Sequence, residues 1–275
     1  MRNKKYSHNT ALFAALAFFL FLICGCDLKS KGANLNESGA FLSYRDIPGV
    51  TSEEIAAIEE LKKEYSHFIY GMPLSVDAFE NENGTISGFS ALTCEWLSEL
   101  FGIPFKPAIY KWKDLFSGLE SGEISFSGEL ACTEERLENF IMTSAIISRP
   151  LKNYRIEDAK PLEEIIKERP PLYGFIEGSA SIKAVTSELT DGTYEIVLLE
   201  DFSLIYQALK SGKIDVFFYS RAADVNFINY GDVIALEYFP FIRMPIAIST
   251  QTEKFTPIIS VIDKALYNNA SRYLV

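Results

Sequence analysis

The chain has 275 residues, 26 basic against 37 acidic, and a formal net charge of −11. An acidic surface of this size argues against nucleic acid and anionic lipid headgroups as partners. With 48% hydrophobic and 13% aromatic residues, the composition fits a filled core and excludes a disordered chain. His8 and His67 are the two histidines. That excludes a multi-histidine zinc site or an HExxH motif, and a Ser-His-Asp triad would rest on His67 alone. No cofactor is expected.

Arg2, Lys4 and Lys5 make a basic head, residues 11–23 are an unbroken apolar run, and Cys24-Gly25-Cys26 follows. A charged start, a short apolar core and small residues at the cut form a secretory signal. The run falls short of the roughly 20 residues that span a bilayer. The segment resembles a bacterial lipoprotein signal, which implies that Cys26 becomes the first mature residue and carries acyl chains. About two chains suffice for a stable tether. An ordinary cleaved signal and an uncleaved anchor helix are the alternatives. Residues 1–25 are therefore read as signal and 26–50 as a polar tether. A leading helix over 51–65 is next, since Thr51 and Glu54 form a capping box and Ile55, Ile58, Leu61 and Tyr65 recur at helical spacing. Glu59 and Lys63 are expected to pair across one turn.

Strands and helices then alternate. Strands are expected at 67–70, 105–110 and 124–126, with helices from Ser90 to Phe101 and over 112–119. The second half predicts strands at 173–176, 194–198 and 214–218, a helix starting at Gly178-Ser179 and another over 204–209. This order argues for an α/β fold with a largely parallel sheet. GLESGEISF at 118–126 returns as ALKSGKIDV at 208–216, 90 residues later. Each is a helix end, a Ser-Gly turn and a strand, and the echo suggests two similar lobes. Whether Cys94 and Cys132 pair is open, because spacing gives no distance between them.

Together these segments resemble the extracytoplasmic solute-binding proteins of family three, the amino-acid-type receptors of ABC transporters. The likeness rests on ENGTISGFSALTCEWLSELFG (82–102), the W-x-x-L-x-x-G-L-x-S-G-x-I stretch (112–124), TEER (133–136), EGSAS (177–181) and LKSGKIDVFF (209–218). It implies a two-lobed periplasmic-binding-protein clamshell with two hinge strands. Lobe 1 would be 66–152 plus 247–275, and lobe 2 would be 153–246. The last residues, SRYLV, would fall within a helix that continues in relatives.

The resemblance also implies ligand residues. Arg136 would clamp a ligand carboxylate, since guanidinium holds a carboxylate bidentately. Thr133 would cap the short helix carrying Arg136, and Ala131 would line the pocket beside it. Ser179 would offer a hydroxyl from the second lobe, or would be a plain helix cap. The family's acid for a ligand ammonium aligns with Ser220. Glu129 and Asp77 are then expected either to receive the ammonium instead, or, for Glu129, to shrink the pocket. The functional expectation is a membrane-anchored receptor, not an enzyme, passing a small carboxylate-bearing solute to an ABC permease. The alternatives are a sensing or orphan module acting through a membrane signalling partner, and a dehydratase-like enzyme with Glu129 as its acid.

Overall fold

A computed structural model describes residues 41–237 and 242–268. They lie within one compact unit, Asn34–Val275. The expected signal, Cys26 and most of the tether lie outside the described residues. The last part of that tether is docked rather than loose. Tyr44 and Ile47 are 2% and 3% exposed, and the Tyr44 ring stacks on Phe101 at 5.5 Å. Its hydroxyl donates to Glu59, which also pairs with Arg45 at 2.8 Å. Glu59 is thereby spent, and Lys63 turns to Glu60 instead at 2.6 Å.

Helix α1, Ser52–Glu64, begins at the expected box: Glu54 N–H donates to Thr51 Oγ1 at 3.2 Å, and Thr51 N–H to Glu54 Oε2 at 2.8 Å. The first lobe then runs through β1 Phe68–Met72, the short strands β2 Phe79–Glu80 and β3 Ile86–Ser87, α2 Phe89–Phe101 and β4 Phe105–Ile109. It continues with α3 Trp112–Ser121, β5 Phe126–Ala131 and α4 Glu134–Leu137. β1 lies between β4 and β5, parallel to both. Strand β6, Ile141–Ile156, carries the chain across. The second lobe holds α5 Leu162–Glu168, β7 Leu172–Ile176, α6 Ser181–Thr186, β8 Glu195–Leu199, α7 Ile205–Lys210, β9 Val216–Ser220 and β10 Val233–Glu237. There β7 is parallel to both β8 and β9. The chain returns through β11 Arg243–Thr250 to α8 Thr256–Tyr267, which closes on α1 where Ser260 donates to Glu54 at 2.7 Å.

β6 is the crossing strand. From Ile141 to Pro150 it pairs with β11, and from Leu151 it pairs with β9, with β10 on its other edge. The change of partner at Pro150 and Leu151 marks the passage between lobes. β11 is antiparallel to β5 and to β6.

The sequence echo is a structural repeat. Gly122 and Gly212 take left-handed φ of 79° and 72°, which L-residues resist. Their N–H groups close the helix ends on Leu119 and Leu209 carbonyls at 3.3 and 3.2 Å. Ile124 and Ile214 then point under the first strand of each lobe, against Gly71 and Gly174. A Cβ at Gly174 would lie 2.6 Å from Ile214 Cδ1. Gly174→Ala alone should therefore cost about 1–3 kcal/mol by overpacking, and Ile214→Val alone about 0.5–1.5 kcal/mol. Because valine lacks the crowding Cδ1, the double variant should lose clearly less than the sum in urea denaturation. Strict additivity would contradict the proposed contact.

Candidate functional site

The strand ends of both lobes converge on one cavity. β5 contributes Glu129 and Ala131, β6 contributes Arg149, and β11 contributes Met244 and Ile246. Trp112 opens α3, and Arg136 sits on α4. The second lobe adds Ser179 to Ser181 after β7, and Tyr219 and Ser220 at the end of β9. In open α/β sheets, ligands are received beyond the carboxyl ends of strands, where β5, β7 and β9 end here. The space left is about 30 Å³, room for about two waters.

Two arginines face this space in opposite electrostatic settings. Arg136 is 8% exposed. Its Nη1 donates to the Ala131 carbonyl at 3.2 Å and its Nη2 to the Gly178 carbonyl at 3.1 Å, so one side chain ties the two lobes. The guanidinium lies 5.9 Å from the Trp112 ring centre and 5.5 Å from that of Phe116. No carboxylate touches it among the described residues, and burial pushes its basicity down. Thr133 holds α4 in place, its hydroxyl accepting the Arg136 N–H at 3.3 Å.

Arg149 is 3% exposed and fully partnered by acids. Nη1 donates to Glu129 Oε2 at 2.7 Å and Nη2 to Oε1 at 3.4 Å. Nε stands 2.9 Å from Asp77 Oδ2. Neither of those two atoms finds an aligned hydrogen bond, so that contact is a charge contact off the N–H axis. Ser90 donates to Glu129 Oε1 at 3.0 Å. Burial disfavours the Arg149 charge, but Glu129 first and then Asp77 outweigh it and raise its basicity.

Of the residues expected at the site, Arg136, Glu129, Ala131, Ser179 and Ser220 line this cavity. Thr133 lies outside it, in a hollow of about 600 Å³ that Arg136 separates from the cavity. Asp77 sits behind Arg149. The structure gives both acids expected to meet a ligand ammonium to Arg149, because the guanidinium is already within contact of each. Ser179 caps no helix: α6 starts at Ser181 with Ala180 before it, and Ser179 shares a 2.8 Å hydrogen bond with the Ser181 hydroxyl. Cys94 and Cys132 are free thiols. No cluster of three or more metal-ligating side chains occurs among the described residues.

Arg149, Trp112, Tyr219 and Ser181 also line the cavity, and the sequence alone assigns none of them a ligand role. A signal for Arg149 was present, namely a single charge inside the apolar strand-like run AIISRPL at 145–151. Such a charge is expensive unless an acid meets it.

The architecture is the two-lobed periplasmic-binding-protein clamshell, with the fold of the amino-acid-type solute-binding proteins. Solved structures with this fold include a mutant of ArgBP from T. maritima, 19% identical, with a TM-score of 0.62 over 79% of this chain and 96% of that one. An ancestral amino-acid-binding protein described as a precursor of cyclohexadienyl dehydratase is 16% identical, with a TM-score of 0.61 over 79% and 96%. The periplasmic domain of B. pertussis BvgS is 16% identical, with a TM-score of 0.68 over 82% of this chain and 44% of that one. No family model and no curated protein matches the chain. At these identities the likeness establishes the fold.

Removing one partner of a buried ion pair costs about 3–5 kcal/mol, because the other charge stays buried. Glu129→Gln, which weakens the aligned contacts, should therefore destabilise more than Asp77→Asn in chemical denaturation. The reverse order would contradict the geometry of the triad.

Proposed function

We propose that this protein is an extracytoplasmic solute-binding protein, anchored through lipid on Cys26, that captures a small carboxylate-bearing ligand between its lobes for an ABC-type permease. The observation that carries this reading is Arg136. It is a buried cation at the junction of the lobes, bonded to a carbonyl of each, with no ion pair to an acid among the described residues. A carboxylate there would take the planar fork of the guanidinium, an interaction stronger than the carbonyl bonds it replaces. An anion held by Arg136 of the first lobe and by the Ser179 hydroxyl of the second, both on the cavity wall, would bridge the lobes and favour the closed state.

The fold it shares with arginine- and amino-acid-binding proteins supports a binding role. Location rests on the signal-like N-terminus. Among the described residues, no helix is long and apolar enough to cross a membrane. The dehydratase reading is less favoured, since three donors from Arg149 and Ser90 converge on Glu129 as on an acceptor.

A second reading, a sensing module that acts by contact with a protein partner, is favoured by one feature. Leu74, Val76, Phe79 and Ile109 of the first lobe and Val225 and Ile228 of the second line a shared apolar groove of about 770 Å³.

Calorimetry of the full-length protein in mild detergent, against small carboxylates and amino acids, separates these readings. Arg136→Met, which keeps bulk and loses the charge, should weaken the bound solute by about 100-fold, as loss of one partner of a buried charge pair does. Unchanged affinity in a folded variant would overturn the assignment.

A further inference from the structure

Arg149 pairs with two buried acids at the cavity. Asp77 and Glu129 are buried acids, 9% and 4% exposed, that converge on one place. Two such acids need a cation, and the chain supplies its own. Glu129 spends both oxygens on Arg149 at 2.7 and 3.4 Å and one of them also on Ser90 at 3.0 Å. Asp77 lies 2.9 Å from the same guanidinium. The wall of the cavity therefore has no acid free to meet a ligand's positive group.

What remains unspent is donor chemistry. The Trp112 indole N–H, in a residue on the cavity wall that is 4% exposed, has no acceptor among the described residues. Among the described residues, Arg136 hydrogen-bonds through its guanidinium to two carbonyls, and a guanidinium carries five N–H groups. The space left is small, about 30 Å³, so a short carboxylate needs less parting of the lobes than a long side chain with a second charged end.

We propose that Arg149 is the specificity-determining residue of the cleft: its guanidinium stands where the cationic group of a ligand would meet Asp77 and Glu129, and it restricts the cleft to small carboxylates without an ammonium or guanidinium group. This rests on Arg136 as the group that holds the anion, and it adds what that anion must lack.

Two measurements test it, both by thermal unfolding of the full-length protein in detergent. In the first, the unmodified protein is scanned against formate, acetate, glycolate and lactate, and against glycine, alanine and arginine. A short carboxylate should raise Tm and the zwitterions should not. In the second, Arg149→Ala is scanned with guanidinium at millimolar concentration, with sodium and ammonium at equal ionic strength as controls. The variant should lose about 10 °C, since it leaves two acids buried without a cation. Guanidinium at about ten times its dissociation constant should restore about 4 °C. The triple variant Asp77→Asn/Glu129→Gln/Arg149→Ala has no acids to bind guanidinium and should show no such recovery.

Stabilisation of the unmodified protein by an amino acid, lost in Arg136→Met, would overturn the inference about Arg149 while leaving the binding reading intact. Absence of guanidinium rescue in a folded Arg149→Ala would also overturn it. Should Arg149→Ala not fold, the solute panel on the unmodified protein decides alone. Should no solute bind the unmodified protein, the binding reading falls, and the rescue still tests whether Arg149 replaces a ligand cation.

Discussion

Buried charge at the junction of the lobes is the constraint on which the rest of the structure depends. A charge removed from water must be met by an opposite charge or by several hydrogen bonds. The protein uses both solutions within one cavity. Arg149 is met by two acids, and the three side chains lock the end of β5, the crossing strand β6 and the loop holding Asp77 into one body. Arg136 is met by carbonyl dipoles, one from each lobe, and by the faces of two aromatic rings. The first arrangement is complete in itself. The second leaves the guanidinium without an acid partner among the described residues, which is the basis of the proposal that it receives an anion.

The surrounding architecture serves this contrast. Parallel strands ending at the cleft place Glu129, Ser179 and Ser220 side by side from two lobes that repeat the same helix–glycine–strand unit. Trp112 and Phe116 of α3 shield the Arg136 guanidinium from water, which strengthens whatever charge it meets. The apolar cluster containing Trp112, Leu115 and Leu119 also contains Phe217 and Leu209 of the second lobe. The lobes thus meet through apolar contact around a small polar centre.

Much of the fold was legible in the sequence, because local chemistry dictates it. The Thr51–Glu54 capping box, the helix face with Ile58 and Leu61, and the paired Ser-Gly turns each depend on residues a few positions apart. What was not legible depends on long-range meetings. The docking of Tyr44 needs Phe101 and Glu59, which no local pattern links to it. Arg136 could be placed because its helix cap, Thr133, is three residues away and the segment resembles a known one. The sequence offers Glu129 and Asp77 as acids for a ligand ammonium, but their partner Arg149 lies 20 residues beyond Glu129 on a strand whose crossing role comes from pairing with β11 and β9. Ser179 was placed at a turn correctly, yet the helix begins two residues later and its hydroxyl turns to Ser181.

The central claim is that Arg136, and not Arg149, is the cation in the cleft awaiting an anion. Anomalous diffraction from crystals soaked in bromide tests it most directly, because bromide is small enough for the cavity and reports its own position. The account predicts a bromide beside the Arg136 guanidinium on the Trp112 side of the cavity, with the Arg149–Glu129–Asp77 contacts unchanged. A cavity without bromide at high occupancy elsewhere, or a bromide at Arg149 with its acids displaced, would contradict it.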